Sequence, residues 1–227
     1  ILKDNIEKYF NKKIMTLNLD DYYLSKDKRV KLSKTKHYLF KTRGVPGTHD
    51  MKKLKKNIND FEKSIYPICI PVFDKLIDDK SSKIRKEKEK KDILILEGWC
   101  CGCPPLEKKF LDKDINELER LEDKDRVWRN YFNKNLDNEY KKIFKIFDKT
   151  IFMEAPSFEF VFNWRSRQEK MNNSSHKNYT RMSKKEILYF ISHYEKITKW
   201  MIKELPKIAD LVININDKQK IIKNKFN

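Results

Sequence analysis

Glycine is confined to two short segments of this chain. Only four glycines occur in 227 residues, two in the segment Arg43–Asp50 and two in the segment Glu97–Gly102. The rest of the chain is rich in Lys, Asn and Ile, so a glycine that remains is expected to answer a backbone need, such as a positive φ or a close approach to a ligand. We therefore predict that both segments are loops lining a site. Two ordinary turns are the alternative.

Carboxylates follow two of the predicted strands. The apolar run Ile93–Leu96 predicts a buried strand that ends in Glu97, and a predicted strand over 14–19 runs into Asp20 and Asp21. Because the carboxyl ends of parallel strands face one edge of a sheet, these side chains are expected to converge. Converging carboxylates can hold Mg²⁺ through water or accept a proton from a hydroxyl group. For Asp20 and Asp21, capping of a helix or turn is the alternative.

Length and composition predict one folded domain over residues 1–227. Hydrophobic residues make up 39% of the chain and aromatic residues 12%, despite a charged fraction of 38%. No run approaches the roughly 18 apolar residues that a membrane helix needs. No signal peptide is visible in the first residues, Ile1–Asn5. We therefore expect a cytoplasmic protein without a membrane partner, and the sequence leaves its oligomeric state open.

The net charge of +18 raises the possibility of a nucleic-acid-binding protein. Only nine of the 52 basic residues are arginine, and the lysines are interleaved with acidic residues along the chain. The lysine-rich run 80–91 is predicted to be an exposed connector. Nucleic-acid-binding proteins more often concentrate their charge on one element beside exposed aromatic residues. We interpret the excess as solvated surface that also attracts anionic substrates, which makes a nucleic-acid partner the less favoured alternative.

The cysteines do not have the spacing of a zinc site. Cys100, Cys101 and Cys103 crowd into one loop and Cys69 lies apart, without a second Cys or His pair at a suitable distance. We predict reduced thiols beside the loop of a site.

Hydrophobic periodicity predicts alternating strands and helices, which is typical of an α/β fold with a parallel sheet flanked by helices. Ser183 and Glu186 have the spacing of a capping box that opens a long helix. The aromatic stripe from Trp128 to Phe147 is interpreted as core. The predicted strands are 14–19, 93–97, 150–153 and 211–215, with an extended stretch at 67–71, and the predicted helices are 2–11, 51–65, 106–123, 126–148, 158–171 and the one that begins at the capping box.

Five motifs occur in a specific order along the chain. Together they resemble the P-loop D-glycerate 3-kinase family of plants, cyanobacteria and fungi, which is similar more distantly to uridine kinase, phosphoribulokinase and pantothenate kinase. The resemblance covers essentially the whole chain, and its second and fourth motifs together are highly specific. The motifs are Leu19–Leu24, Arg43–Asp50, Pro71–Lys75, Ile95–Cys100 and Trp164–Glu169.

This resemblance implies a P-loop kinase-like fold and phosphoryl transfer from ATP to D-glycerate with Mg²⁺ as the required ion. It implies that Asp20 is the base for the acceptor hydroxyl and that Asp20 and Glu97 organise the metal. Arg165, with Arg167 nearby, would close over the ATP phosphates, although an amphipathic helix face could equally hold both arginines. The residues implied for acceptor binding are Asp21, Tyr23, Arg43, Gly44, Gly47, His49, Asp50, Asp74, Lys75 and Trp99.

One departure from the family pattern is clear in the sequence. These kinases carry a Gly-x-x-x-x-Gly-Lys-Ser/Thr phosphate loop before their first helix, and no such motif occurs in the chain. The expectation from sequence is a single kinase domain truncated at its N-terminus, lacking the first, central strand of the sheet and inactive without the phosphate loop. Two alternatives stay open: a kinase of the same group with another hydroxylated acceptor, and a non-catalytic basic nucleic-acid-binding protein.

Overall fold

The computed structural model of the chain describes residues 2–175 and 182–227. Contacts divide the chain into two compact units, the first ending at Cys101 and the second beginning at Gly102. All four glycines have a positive φ, as predicted from their scarcity. The described strands form separate sheets, in which two pairs, one in each unit, are parallel. The predicted α/β class is thereby confirmed.

The first unit is built on a parallel pair of strands and an antiparallel hairpin. Strand β1 pairs with β4 in the register from Ile14 opposite Ile93 to Asn18 opposite Glu97, so both strands end at the same edge. Strand β2 pairs antiparallel with β3. The elements are α1 Leu2–Phe10, β1 Ile14–Asn18, a 3-10 helix Leu19–Tyr22, α2 Lys26–Thr35, a 3-10 helix Tyr38–Lys41, α3 Met51–Glu62, β2 Ile68–Asp74, β3 Asp79–Glu87 and β4 Ile93–Glu97.

Two expectations for this unit are wrong. The lysine-rich run is not a connector, because residues 79–87 form β3 with most of their side chains exposed. Backbone hydrogen bonding to β2 defines such a strand, and it needs no apolar side chains. Strand β4 is not buried either, since its four apolar side chains are partly exposed. The apolar core of the unit instead centres on β1, where Ile14, Met15 and Leu17 are buried.

The second unit joins a mixed sheet to a set of helices. Strand β6 pairs parallel with β5 and antiparallel with β7, a strand that the sequence pattern did not predict. The side chains of β7 are all exposed, so it carries no pattern of alternating burial. The elements are α4 Lys108–Asp112, α5 Glu117–Glu122, α6 Val127–Asn135, a π-helical turn Leu136–Tyr140, α7 Lys141–Phe144, β5 Ile151–Glu154, α8 Glu159–Ser175, α9 Lys184–Ile208, β6 Leu211–Ile215 and β7 Ile221–Phe226.

The core of the second unit follows the predicted aromatic stripe. Trp128, Phe132, Leu136 and Tyr140 are buried. Helix α9 starts with the predicted capping box, in which Ser183 and Glu186 each bond to the other's backbone N–H. The helix predicted over 106–123 is broken into α4 and α5, because the Asn116 side chain caps α5 by accepting the Glu119 N–H at 3.0 Å.

Buried charges lie between α5, α6 and α9. The Arg129 guanidinium, fully buried, is 2.8 Å from the Asp123 carboxylate and 2.6 Å from that of Asp114. The Lys196 ammonium is 3.2 Å from the Glu119 carboxylate and donates to three backbone carbonyls of the segment 110–113. Pairing offsets the cost of burying these charges, so the network ties the neighbouring helices α5 and α6 to the distant helix α9.

Within the described residues, no helix is both long enough and apolar enough to cross a membrane.

Candidate active site

The carboxylate of Asp20 lies just beyond the end of β1. Asn18, the last residue of the strand, caps the following 3-10 helix by accepting the Asp20 N–H at 2.9 Å. The cap is therefore Asn18, which leaves the Asp20 side chain for another contact. Its Oδ2 atom lies 2.6 Å from the ammonium of Lys75, and the Asp20 side chain is 23% exposed. Asp20 is thus a solvent-accessible carboxylate with a cation at its side.

The Glu97 turn packs directly against the Asp20 turn. Glu97 ends β4 opposite Asn18, and the next residue, Gly98, has a φ of +150°. A Cβ atom at Gly98 would lie 2.6 Å from the Cβ of Leu19, the residue before Asp20. A side chain of any other residue would collide there, so glycine allows the two turns to approach each other. The expectation that Asp20 and Glu97 share an edge is confirmed.

Cys101 lies within the electrostatic influence of both carboxylates. Burial raises the pKa of its thiol to about 12, and Asp20 and Glu97 add to this effect. The thiol is therefore protonated at neutral pH and is a poor nucleophile or metal ligand. All four cysteines are free of disulfides, in agreement with the sequence expectation.

An aromatic stack connects the first glycine segment to the end of the Asp20 turn and to β2. The Tyr23 ring stacks on His49 with centroids 4.4 Å apart and meets the edge of Phe73 at 5.2 Å. A β-bridge pairs Tyr23 with His49. All three rings are buried, with exposures below 9%. The stack fixes the segment that ends at Asp50 beside the Asp20 turn.

His49 is held neutral. Burial lowers the pKa of its imidazole to about 3, and the negative charge of Asp20 opposes this only in part. At neutral pH His49 can donate and accept hydrogen bonds, but it contributes no charge.

Asp21 has a structural contact in addition to its place beside Asp20. Its Oδ1 atom accepts the N–H of Phe73 at 3.2 Å, which ties the Asp20 turn to β2. Burial raises the pKa of the Asp21 carboxyl, while that hydrogen bond and Arg85 act in the opposite direction.

The first glycine segment forms a closed loop before α3. Thr48, fully buried, accepts the Gly44 N–H at 3.1 Å and donates its hydroxyl to the Val45 carbonyl at 2.8 Å. Gly47 has a φ of +101°, which a residue with a side chain rarely adopts. Asp50 caps α3 through the Lys53 N–H at 3.1 Å and pairs with Lys80 at 3.3 Å. Asp50 therefore has a capping role whether or not it binds an acceptor.

Arg43 lies against the turn of the β2–β3 hairpin. Its guanidinium is 5.6 Å from the centroid of the Phe73 ring and forms a short ion pair with Asp78. Arg29, buried to 1% exposure, donates to the Asp78 carboxylate at 2.9 Å and contacts Phe73 at 5.9 Å. In the same turn, Asp74 accepts the Leu76 N–H at 2.9 Å.

The predicted site residues of the first unit are thus brought together around the end of β1 and the β2–β3 turn, with Trp99 half-buried in the Gly98 turn. Sequence reasoning missed Arg29 and Asp78. It also missed that the guanidiniums of Arg29 and Arg43 lie over the ring of Phe73. Arg29 carried no signal, because it lies in a lysine-rich helix. Asp78 carried no signal either, because the run that follows it, 80–91, was predicted to be an exposed connector.

Arg165 and Arg167 belong to α8 of the second unit. Arg165 pairs with the buried carboxylate of Glu169, one helical turn along, and its guanidinium is 4.8 Å from the Phe190 ring centroid. Arg167 donates to the Asp217 carbonyl at 3.3 Å. These contacts support the alternative, in which the two arginines are held by their own helix face and its neighbours.

The chain was compared with known proteins. No model of a protein family matches it. It is 29% identical over 201 residues to the fission yeast protein "Uncharacterized kinase mug58". This match covers 81% of the chain and 68% of that relative. It is 30% identical over 183 residues to the budding yeast "Probable ATP-dependent kinase TDA10", with 72% and 59% covered. An Arabidopsis thaliana relative, "D-glycerate 3-kinase, chloroplastic", is 25% identical over 202 residues, which make up 84% of the chain.

The chain spans 59% of the budding yeast relative and 41% of the Arabidopsis relative. Among solved structures, a D-glycerate 3-kinase from Cryptococcus neoformans matches all of the chain and 84% of its own length, with a TM-score of 0.82 and 23% identity. At that identity the structural likeness establishes the fold.

Proposed function

We propose that the chain is a P-loop kinase like these relatives and that it transfers the terminal phosphoryl group of ATP to a hydroxyl of D-glycerate. Phosphoryl transfer depends mainly on positioning and on neutralising charge. The observation that carries the proposal is the carboxylate of Asp20, which is solvent-accessible at the end of β1 and paired with Lys75 at 2.6 Å.

Asp20 is proposed as the acceptor of the hydroxyl proton. A base needs a free lone pair within hydrogen-bonding reach of the substrate hydroxyl. The carboxylate has two oxygens, and the contact with Lys75 is made by Oδ2. Lys75 would hold the carboxylate in place and balance its charge. His49, which is neutral and packs its ring on Tyr23, would add no charge beside Asp20.

Arg43 is proposed to bind the carboxylate of the acceptor. A planar guanidinium suits bidentate recognition of a carboxylate, and the Arg43 side chain is still 16% exposed. Acceptor binding at this place would bring the substrate between the Asp20 turn and the β2–β3 turn, which Phe73 and Tyr23 join.

The donor set at this edge fits Mg²⁺. Asp20 and Glu97 are hard oxygen donors, and the ion typically uses one or two carboxylates together with substrate phosphates and water. In the described part of the chain, no three or more His, Cys, Asp or Glu side chains are grouped so that they could hold a metal ion by themselves. Asp20 and Glu97 would hold the ion, which supplies charge neutralisation at the phosphates. Arg165 and Arg167 are proposed to face the ATP phosphates, which for Arg165 requires release from Glu169.

The choice of D-glycerate is supported by the Arabidopsis relative and the Cryptococcus structure, both of which are D-glycerate 3-kinases, and by the motif of the first glycine segment. A cytoplasmic location remains a prediction of the sequence.

An acceptor competition tests the proposal. The natural gene product is incubated with ATP, Mg²⁺ and one of four acceptors: D-glycerate, uridine, pantothenate or ribulose 5-phosphate. ADP release should be fastest with D-glycerate and should need both ATP and the ion. Faster reaction with another acceptor would refute the substrate assignment, and no acceptor-dependent ADP release with any of the four would refute the proposed activity.

A further inference from the structure

Asp78 occupies a fixed position in the turn between β2 and β3. It is one of the few non-glycine residues with a positive φ, 55°, a conformation that Asp tolerates better than most residues. Its backbone carbonyl accepts an N–H of Arg29 at 2.5 Å and its Oδ2 accepts one at 2.9 Å. Both the main chain and the side chain of Asp78 are therefore held by one buried guanidinium.

Arg29 is itself immobilised. Its other N–H groups donate to the carbonyls of Leu24 at 3.3 Å and Lys41 at 2.8 Å, and its side chain is 1% exposed. Rotation of this buried guanidinium would leave N–H donors without acceptors, which is costly in free energy. The planar group therefore stays in one orientation. Arg29 thus serves as the rigid base of the turn.

The second carboxylate oxygen of Asp78 contacts Arg43. Oδ2 is taken by Arg29, and Oδ1 forms the ion pair with Nη1 of Arg43. The two guanidiniums lie at 5.9 Å and 5.6 Å from the Phe73 ring centroid. Ring and carboxylate together define where the Arg43 guanidinium lies.

We propose that Asp78 is a positioning residue: it transmits the fixed position of Arg29 to Arg43 and so presets the guanidinium that receives the carboxylate of the acceptor. The inference rests on the proposed function for the role of Arg43. Preorganisation of a binding cation raises affinity because the side chain is not ordered anew when the ligand arrives. A residue of this kind should matter for charged acceptors and hardly at all for uncharged ones.

The test compares Asp78→Asn with the neighbouring Asp79→Asn, whose carboxylate bonds the N–H groups of Lys26 and Lys80 and not Arg43. Calorimetric titration of D-glycerate at near-physiological salt should give a Kd about tenfold higher in Asp78→Asn, the loss of roughly one charged hydrogen bond. The Kd of Asp79→Asn should stay close to that of the wild type. Equal weakening in both variants, or tighter binding in Asp78→Asn, would overturn the inference.

A double-mutant cycle separates positioning from general damage. If Asp78 acts through Arg43, adding Asp78→Asn to Arg43→Gln should weaken D-glycerate binding no further. Additive losses would contradict the inference.

A readout without ligand keeps the inference distinct from the proposed function. The NMR signal of the Arg43 Nε–H should shift in Asp78→Asn and not in Asp79→Asn. If the wild type bound no D-glycerate while this shift occurred, the acceptor assignment would fail and the positioning contact would stand. If the shift were absent, the positioning contact itself would be refuted.

Discussion

The ammonium of Lys75 and the carboxylate of Asp20 lie 2.6 Å apart, although they come from the β2–β3 turn and from the end of β1. This pair joins the residue proposed as base to the hairpin that also holds Arg43 through Asp78.

Replacing Asp20 by Asn should abolish most of the phosphoryl transfer. The amide keeps the size of the side chain but cannot accept the hydroxyl proton, so kcat should fall by roughly 10²–10⁴ with little change in ATP affinity. Steady-state kinetics of the natural gene product would measure this. Lys83→Ala is the control, because Lys83 is exposed on β3, away from the proposed contacts. A kcat within twofold of the wild type in Asp20→Asn would refute the role of base.

Loss of the Lys75 ammonium should affect function more than stability. The Lys75 side chain is 53% exposed, so its ion pair should contribute less than about 1 kcal/mol to the free energy of unfolding. We expect Lys75→Met to unfold at nearly the same urea concentration as the wild type and to lower kcat/KM for D-glycerate severalfold. An unchanged kcat/KM would indicate that the pair is a surface contact without a catalytic part.

The Gly98 turn should not tolerate a side chain. In Gly98→Ala the new Cβ would meet the Leu19 Cβ at 2.6 Å at a φ of +150°, so we expect a loss of roughly 2–4 kcal/mol in the free energy of unfolding. Gly102→Ala is the matched control, since its nearest contact is a Thr150 methyl at 3.4 Å and the loss should be smaller. Urea denaturation measures both, and equal losses would contradict the close approach at Gly98.

The pH dependence of stability should report on His49. Burial lowers its pKa from 6.5 to about 3, so below pH 6.5 the unfolded chain binds a proton that the folded chain does not. The free energy of unfolding should therefore decrease as the pH is lowered from 7 to 5. Most carboxyl groups titrate below this range and do not contribute to the slope. His49→Gln should reduce this slope and leave the part due to His193, whose pKa burial also lowers. An identical slope in His49→Gln would contradict a neutral buried imidazole.

The buried charges of the second unit should be essential to its stability. Lys196→Met removes the cation 3.2 Å from Glu119, whose carboxyl pKa burial already raises, and should cost about 3–5 kcal/mol. Lys199→Met, three residues along the same helix, breaks a partly exposed pair with Glu195 and should cost less than about 1 kcal/mol. Thermal melts compare the two variants, and similar losses would refute the importance of the network.

The sequence predicted the strands β1, β4, β5 and β6 and the placement of Asp20 and Glu97 at one edge, because apolar runs and the carboxylates that end them are local signals. It failed for β3 and β7. Both are strands with mostly exposed side chains, and their pairing is a tertiary property that leaves no hydrophobic period.

The sequence predicted the individual residues of the candidate site but not the contacts between them. Scarce glycine and the motifs pointed to Arg43, His49 and Lys75, but nothing local indicated that Asp78 would bridge Arg29 to Arg43. Contacts across 35 and 49 residues depend on the folded hairpin. Burial, which sets the charge state of His49, likewise appears only in the fold.

The most direct test of the account is to locate bound D-glycerate on the protein by NMR. Titration of the isotope-labelled chain should shift the backbone signals of Tyr23, Arg43, His49 and Lys75, and Arg43→Gln should abolish the shifts. Such a result would place the acceptor between the Asp20 turn and the β2–β3 turn. Saturable shifts confined to the second unit, or no shifts at millimolar D-glycerate, would contradict the proposed acceptor site.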